Sequence, residues 1–317
     1  MYSYENYANV KAEIEQRRLR AIAEADAHAE ALREQSEEIR RIDAELSGTG
    51  MRLFKAALSG EDLAPLRARN EELNERKRQI ILSLGYPEDY ARPHHTCTVC
   101  SDTGYVNGTR LCQCLREELI KATIASSGIG HLIEKQSFDN FELGIYSSDE
   151  ENYKRMKMNL EIAKKYADGF TKGGENLLLM GKTGTGKTHI STAIAREVIR
   201  KGYDVIYDTT QNIISDFETD RFKNAYSQAE PKADKYLECD LLIVDDLGTE
   251  FITPFTVSTI YNLVNTRQNR GLSTIISTNL SPEELSRRYE DRIYSRLIGT
   301  GYRVLMFVGP DMRITRR

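Results

Sequence analysis

The sequence predicts an α/β fold, in which a parallel sheet covered by helices follows a helical arm and a small cysteine-rich knuckle. Three observations carry this prediction. Apolar residues recur at helical spacing before residue 85, and four of the five cysteines lie between residues 97 and 114. After residue 152, short apolar segments alternate with helical stretches, which is typical of parallel sheets with helices on their faces. The predicted strands are 176–180, 204–208, 241–245, 274–278 and 303–308.

The composition excludes several classes of protein. At roughly 150 residues per domain, 317 residues suggest about two domains, and the 40% of hydrophobic residues suffice for a core. The 44 Lys and Arg against 48 Asp and Glu give a net charge of −4, which excludes a globally basic nucleic-acid coat but permits a local basic groove. No apolar run approaches the roughly 20 residues of a spanning helix, and no signal-peptide pattern opens the sequence. We therefore expect a cytoplasmic protein with no membrane partner.

The first region, residues 1–90, is predicted to be a helical or coiled-coil arm. Its apolar residues follow steps of three, four and seven, as in Leu32, Ile39, Ile42 and Leu46. This spacing predicts a long amphipathic helix followed by shorter ones. We expect breaks at residues 47–50 and 59–62, the second ending in an N-cap. The narrow stripe fits either a partner-binding arm or an antiparallel hairpin that satisfies itself.

The second region, residues 91–126, is predicted to be a zinc-binding knuckle and a connector. Its cysteines follow the spacing C-x2-C-x11-C-x-C and are Cys97, Cys100, Cys112 and Cys114. Four thiolates suit tetrahedral Zn²⁺ and leave no open coordination position, which indicates a structural ion. His94 or His95 can replace one ligand, and unliganded reduced thiols are the alternative. The fifth cysteine, Cys239, precedes an apolar strand and is predicted to be a buried thiol.

The third region, residues 127–317, contains a glycine-rich loop. Residues 181–188 fit G-x-x-x-x-G-K-[ST] at every fixed position, directly after a predicted strand and before a helical run. Backbone N–H groups of such a loop and the helix N-terminus bind phosphates. Lys187 is expected to neutralise the β- and γ-phosphates, and Thr188 to bind Mg²⁺. ATP and Mg²⁺ are thus the predicted cofactors, and the binding candidates are Gly181, Lys182, Thr183, Gly184, Thr185, Gly186, Lys187 and Thr188.

Polar side chains follow two further predicted strands. Asp245 and Asp246 end one strand, and Asn279 follows another. Ligands of open α/β sheets bind at the carboxyl edge, beside such a loop. We therefore expect Asp245 to hold Mg²⁺ and Asp246 to act as general base on the attacking water, with Glu250 as the second candidate. Asn279 can hydrogen-bond the γ-phosphate or orient the water.

Two arginines, Arg292 and Arg296, are spaced to share one helix face. A guanidinium that reaches across a subunit boundary can stabilise the charge of a transferred phosphoryl group. The same spacing fits a solvated face paired to Glu290 and Asp291. The spacing alone does not decide between these interpretations.

Together these motifs resemble the DnaC/DnaI-type helicase loaders, a branch of the AAA+ ATPases. The same clade includes the IstB-type transposition helper ATPases. The resemblance extends over essentially the whole chain. Its segments are residues 181–188, 245–250, 277–280 and 294–297 in the ATPase half, 97–105 and 112–114 in the front half, and 138–141 before the nucleotide domain.

The resemblance implies an ATP-dependent protein that loads the replicative DnaB-type hexameric helicase onto single-stranded DNA. The N-terminal region would hold the helicase, and the ATPase domain would self-associate. The resemblance also implies roles for four residues: Asn279 as sensor 1, Arg296 as arginine finger with Arg292 second, and Arg313 as a phosphate-sensing arginine. An AAA+ P-loop core without a C-terminal helical lid is expected.

The resemblance further implies an extra helical insertion at residues 211–235, where Phe222, Lys223 and Tyr226 are candidates for DNA contact. Two other functions stay open, namely an IstB-like transposition helper and a non-catalytic ATP-gated adaptor. The long arm and the knuckle favour the loader over the helper. Intact Lys187, Asp245 and Asp246 argue for an ATPase and against the adaptor.

Overall fold

The computed structural model describes residues 2–59, 62–222, 231–299 and 301–312. Internal contacts divide the chain into two compact units. One unit comprises Lys11–Leu115, and the other comprises Met1–Val10 with Arg116–Arg317. Among the described helices, none combines the length and the apolar character needed to cross a membrane.

The unit Lys11–Leu115 is built mainly from helices. They are α1 (Tyr4–Gln35, which begins outside this unit), α2 (Glu37–Ser59) and α3 (Ala64–Ser83). Helices α2 and α3 are antiparallel, because Glu45 pairs with Arg69 near the start of α3 while Glu38 pairs with Arg76 further along. Part of the predicted apolar stripe is buried inside this unit, in a cluster formed by Leu32, Ile39 and Ile81.

The break predicted at residues 47–50 is wrong, since α2 continues through it. Ser47 Oγ donates to the Asp43 carbonyl (2.8 Å), and Thr49 Oγ1 donates to the Leu46 carbonyl (2.9 Å). These bonds to the preceding turn let polar side chains stay within a helix. The break predicted at 59–62 agrees with the end of α2 at Ser59, but the N-cap predicted at its end is wrong, because the N-cap of α3 is Leu63, which has no side-chain cap. The Asp62 carboxylate still accepts from the Ala64 N–H (2.9 Å).

A short hairpin lies between the two cysteine pairs. Strand β1 (Tyr105–Val106) pairs antiparallel with β2 (Arg110–Leu111). Helix α4 (Gln113–Ser126) follows the hairpin and carries Cys114 in its first turn. The hairpin therefore returns the chain toward its first cysteine pair.

The unit with Arg116–Arg317 contains a five-stranded parallel sheet of order β4-β5-β6-β3-β7. The strands are β3 (Leu177–Gly181), β4 (Val205–Thr209), β5 (Leu241–Leu247), β6 (Ser273–Thr278) and β7 (Arg303–Phe307). The helices are α5 (Gly130–Ile133), α6 (Glu150–Asp168), α7 (Lys187–Arg200), α8 (Thr210–Phe222), α9 (Asp234–Glu238), α10 (Pro254–Asn269), α11 (Pro282–Arg288) and α12 (Asp291–Ile298), with a 3-10 helix at Leu143–Tyr146. Each predicted strand is confirmed within two residues at either end.

Both faces of this sheet are buried. Along β3, Leu177 and Leu179 join one apolar cluster, whereas Leu178 and Met180 join another. Successive strand residues point to opposite faces, so each cluster fills one side of the sheet. This explains why the strands are continuous apolar runs in the sequence.

The outer strands β4 and β7 are each bonded by residues from outside the sheet. The Tyr207 N–H of β4 donates to the Ser127 carbonyl (2.8 Å). At the other edge, the Asn159 side-chain amide donates to the Met306 carbonyl of β7 (2.8 Å). These bonds use main-chain groups that face away from the neighbouring strand.

Candidate nucleotide-binding site and cysteine cluster

The glycine-rich loop joins β3 to α7 at the carboxyl edge of the sheet. Gly184 (φ +78°) and Gly186 (φ +92°) have left-handed backbones that favour glycine. A Cβ at Gly184 would overlap the Asp311 carboxylate, and a Cβ at Gly186 would lie 2.9 Å from the Phe141 ring. The loop therefore keeps its shape only with glycine at both positions.

Three hydrogen bonds from two side chains fix the interior of the loop. The buried Lys187 donates from Nζ to the Gly181 carbonyl (2.7 Å) and to the Lys182 carbonyl (2.9 Å). The Tyr146 hydroxyl donates to the Thr185 carbonyl (3.0 Å). Burial raises the pKa of Tyr146 to about 12, so its hydroxyl remains a donor at neutral pH. The ammonium is thus held inside the loop that binds phosphates in this motif.

Asp245 lies beside the loop, as predicted. Its Oδ2 is 3.4 Å from the Thr188 hydroxyl, and its side chain is buried. Ser277 Oγ donates to the other oxygen, Oδ1. A carboxylate and a hydroxyl at this spacing are the oxygen ligands that Mg²⁺ takes in P-loop proteins. The donor set therefore fits the expected ion.

Tyr207 belongs to the site, although the sequence did not predict it. Its hydroxyl donates to Asp245 Oδ2, and burial together with the nearby Asp245 charge raises its pKa. The hydroxyl therefore stays protonated and orients the carboxylate. The sequence shows only that a tyrosine lies in the predicted strand 204–208. The pairing of β4 with β5 is what brings this tyrosine beside Asp245.

The two candidate bases occupy different surroundings. Asp246 is exposed, has a left-handed backbone (φ +55°) and lines the nucleotide cavity. Glu250 is 2% exposed, and its carboxylate accepts from the Gly248 N–H (2.9 Å) and from the Tyr289 hydroxyl. Burial and the Glu250 charge raise the pKa of Tyr289, which keeps this buried donor in place. Glu250 therefore stabilises its own loop through buried hydrogen bonds, whereas Asp246 lines the nucleotide cavity.

Of the remaining predicted site residues, the structure describes Asn279, Arg292 and Arg296. Asn279 is exposed directly after β6. On α12, the Arg292 and Arg296 guanidiniums lie 4.6 and 5.4 Å from the ring centre of Tyr261, and Arg292 also pairs with Glu290 (2.7 Å). The predicted pairing of this face with Glu290 is therefore present for Arg292. Arg313 lies outside the described residues.

A cavity of about 330 Å³ adjoins the loop. The loop and α7 contribute part of its lining, and Asp246 contributes from β5. Three further residues come from other segments, and these are Leu132, Gln136 and Met312. The cavity therefore continues from the phosphate-binding loop to apolar and amide side chains.

The four cysteines of the knuckle form one cluster. Their sulfurs all lie within 4.8 Å of one another, with Cys97 and Cys112 3.8 Å apart and Cys100 and Cys114 3.5 Å apart. All four are free of disulfides. Four sulfurs at this spacing fit a tetrahedral metal ion. Cys239, outside the cluster, is buried as predicted, and burial raises its pKa to about 11.

A buried carboxylate supports this cluster. Asp102 accepts from the backbone N–H groups of Thr96 (2.8 Å) and Cys97 (3.0 Å) and from the Arg17 guanidinium (2.8 Å). His95 Nδ1 lies 3.8 Å from Asp102, and His94 lies 3.6 Å from Asp89. The four-sulfur group is therefore complete without either histidine.

Comparison with known proteins finds a family match within the larger unit. Residues 149–298 match the profile of the family described as IstB-like ATP binding protein. The match covers 150 of the 317 residues, just under half of the chain. This IstB-like segment contains the glycine-rich loop, Asp245 and the α12 arginines.

Two relatives and one solved structure show how far the similarity extends. The replicative helicase loader DnaC of Escherichia coli (strain K12) is 27% identical over 179 residues, which cover 56% of this chain and 69% of that protein. The phage-like element PBSX protein XkdC of Bacillus subtilis (strain 168) is 26% identical over 234 residues, covering 68% and 83%. A crystal structure of the DnaC helicase loader has a TM-score of 0.43 and 24% identity, covering 48% of this chain and 89% of that one.

Proposed function

We propose that this ATPase loads a replicative DnaB-type helicase onto single-stranded DNA. The observation that carries the proposal is the similarity to DnaC over 179 residues, in a chain that also carries a separate compact unit, Lys11–Leu115. The IstB-like domain supplies a nucleotide switch, and the helical unit with its cysteine cluster supplies a surface for a protein partner. ATP binding and hydrolysis control the release of the helicase.

The chemistry assigned to the nucleotide site uses residues already placed. Thr188 and Asp245 would hold Mg²⁺, which would supply positive charge against the phosphates. Lys187 neutralises the β- and γ-phosphates, and Asp246 accepts a proton from the attacking water. Asn279 acts as sensor 1 at the end of β6. These roles are supported by the positions of the five residues around the P-loop and the sheet edge.

Zn²⁺ is the ion that we propose for the cysteine cluster. The donor set of four sulfurs is typical of structural zinc, since thiolates prefer Zn²⁺ to the oxygen-seeking ions. The ion would fix the hairpin β1–β2 to the start of α4. Asp102 would orient the Cys97 backbone and tie this segment to Arg17 on α1.

Self-association through the IstB-like domain is part of the proposal, with Arg296 as the finger. Arg296 Nη1 donates to Gln268 (3.2 Å), and the guanidinium lies by Tyr261 on an open surface. A finger acts only when a neighbour's site is present. Arg296→Ala should spare ATP affinity but lower stimulated hydrolysis. Mixing it with Lys187→Ala should restore part of the activity, and a dead mixture of variants that still assemble would remove the assignment.

Contact with single-stranded DNA is assigned to the end of α8. Phe222 is 71% exposed, and Arg221 lies 5.9 Å from its ring centre and 5.2 Å from that of Phe255. An aromatic ring beside a guanidinium suits base stacking and phosphate contact. Lys223 and Tyr226, the other candidates, lie outside the described residues.

Co-purification with the cognate hexameric helicase tests the proposed function. The full chain should retain the helicase, and the retained fraction should depend on ATP. Loss of retention in Arg17→Ala, with ATP affinity unchanged, would place the contact on the helical unit. Absence of any helicase complex with and without ATP would contradict the loader.

A transposition helper is the second candidate, because the matching family is described as IstB-like. The same experiment discriminates between the two, when a transposase encoded beside the gene replaces the helicase as bait. Retention of transposase without helicase would favour the helper.

A further inference from the structure

The nucleotide cavity has one part that neither phosphate nor metal explains. Phosphates belong at the glycine-rich loop, and the metal belongs between Thr188 and Asp245. Outside the loop, α7 and Asp246, the lining residues are Leu132, Gln136 and Met312. Met312 is buried and Leu132 half-buried, so two apolar side chains and one amide surround this part of the cavity. Pockets for planar ligands combine apolar walls with a few polar groups that give specificity.

Gln136 carries the polar group of this part. Its Oε1 is buried and, within the part of the chain that the structure describes, has no hydrogen-bond partner. Buried polar atoms in native proteins are nearly always paired, and an unpaired carbonyl oxygen costs free energy. In a ligand cavity, the missing partner of this acceptor is a donor on the ligand.

The backbone around Gln136 is fixed by its neighbours. Asn140 closes the turn, because its Oδ1 accepts from the Ser137 N–H (2.8 Å) and its Nδ2 donates to the Lys135 carbonyl (2.7 Å). His189 of α7 then bonds the turn to the P-loop helix through Nε2, which lies 2.8 Å from the Ser137 carbonyl and 3.0 Å from Asn140 Oδ1. Both partners are acceptors, so Nε2 carries the hydrogen. The turn is thereby held against the helix that begins the nucleotide site.

We propose that Gln136 reads the nucleobase, and that its amide oxygen accepts a hydrogen bond from the exocyclic amino group of adenine. Guanine and hypoxanthine carry a carbonyl oxygen in place of that amino group. Two acceptors would then face each other, and one would stay unpaired. A site that pairs a ligand donor discriminates against analogues that lack it. This assignment concerns the ATPase site alone and holds whichever partner the protein serves.

The experiment measures binding of ATP, GTP and ITP to the full chain, by competition with a fluorescent ADP derivative. Three variants are compared with the wild type. Gln136→Met keeps the length of the side chain without polar atoms, and Gln136→Glu keeps an acceptor. Gln211→Met is the matched control, since Gln211 is exposed on α8.

The wild type should bind ATP at least about tenfold more tightly than ITP or GTP, as expected for one well-made hydrogen bond. Gln136→Met should lose about tenfold in ATP affinity and change ITP affinity less than about twofold, so that the preference disappears. Gln136→Glu should keep a preference for ATP over ITP, and Gln211→Met should match the wild type.

Three outcomes would overturn the assignment. Equal losses of ATP and ITP affinity in Gln136→Met would make Gln136 a structural residue of the turn. Unchanged affinities for both ATP and ITP in Gln136→Met would show that the base is recognised elsewhere. A variant that fails to fold is recognised by its circular dichroism, and the Gln136→Glu ratio then decides alone, because a ratio near one would also overturn the assignment.

Discussion

The nucleotide site and the cysteine cluster are held in place by different means. Beside a sheet that is buried on both faces, Tyr146 of the 3-10 helix contacts the P-loop, and Ser277 of β6 contacts the Asp245 carboxylate. In the helical unit, two of the ion pairs that join α2 to α3, Glu45–Arg69 and Glu38–Arg76, are about half exposed, and such pairs contribute little to stability. The comparison teaches that the core of its unit holds the nucleotide site, whereas the cysteine cluster rests on the buried Asp102 carboxylate and on the ion that we propose there.

Lys187→Ala should have the largest effect, and this effect should be confined to the nucleotide site. The phosphates lose the cation that the loop supplies, so nucleotide binding should fall below detection. Calorimetric titration with ATP measures this, and metal analysis of the same sample should still find one zinc per chain. Lys164→Ala, an exposed change on α6, is the control. Undiminished ATP affinity in Lys187→Ala would contradict the assignment of the loop.

Asp246→Asn should give the next largest effect. The amide cannot accept the proton of the attacking water, so hydrolysis should slow by roughly 10²–10⁴-fold while ATP affinity is kept. Phosphate release under single-turnover conditions provides the rate.

Glu250→Gln is the matched control for Asp246→Asn. Its buried contacts predict a loss of about 1–2 kcal/mol in the free energy of unfolding, with hydrolysis reduced less than about tenfold. If Glu250→Gln lost the larger activity and Asp246→Asn little, the two roles would have to be exchanged.

The double change Cys97→Ser and Cys100→Ser tests the cysteine cluster and should leave the nucleotide site unaffected. Loss of two thiolates should release the zinc and expose the amides of residues 96–115 to rapid hydrogen exchange. ATP affinity should change less than about twofold, since the core of the sheet holds the P-loop. The control variant Cys239→Ala should retain one zinc ion per chain, because Cys239 lies outside the cysteine cluster. Protein purified without chelator that contains no zinc would end the zinc assignment.

Tyr207→Phe should give the smallest effect and probes how strongly the core holds Asp245. The change keeps the ring and removes the donor to Oδ2, so the Mg²⁺ concentration that half-saturates ADP binding should rise about fivefold, in line with one hydrogen bond. Metal-free ADP affinity should stay the same. Tyr153→Phe on α6 is the control. A loss of ADP affinity both with and without Mg²⁺ would indicate a packing role instead.

Most of the α/β fold could be predicted because its signals are local. The P-loop, Asp245 and all five strands follow from short runs of sequence, and the four cysteines from their spacing. Tyr207, Ser277 and Gln136 could not be predicted, since strand pairing and a turn fixed by distant contacts bring them to the site. The wrong break at residues 47–50 has another cause, because tertiary context overrides the weak helix preference of Ser, Gly and Thr, and the Ser47 and Thr49 hydroxyls find acceptors in the preceding turn.

The hydrogen bonds at the two outer strands affect the tendency of the protein to aggregate. Exposed strand edges recruit strands from other molecules, which is a common route to aggregation. Here the Tyr207 N–H and the Met306 carbonyl are already bonded to Ser127 and Asn159. An incoming strand therefore meets one occupied position at each edge, which disfavours edge-to-edge pairing at these two points.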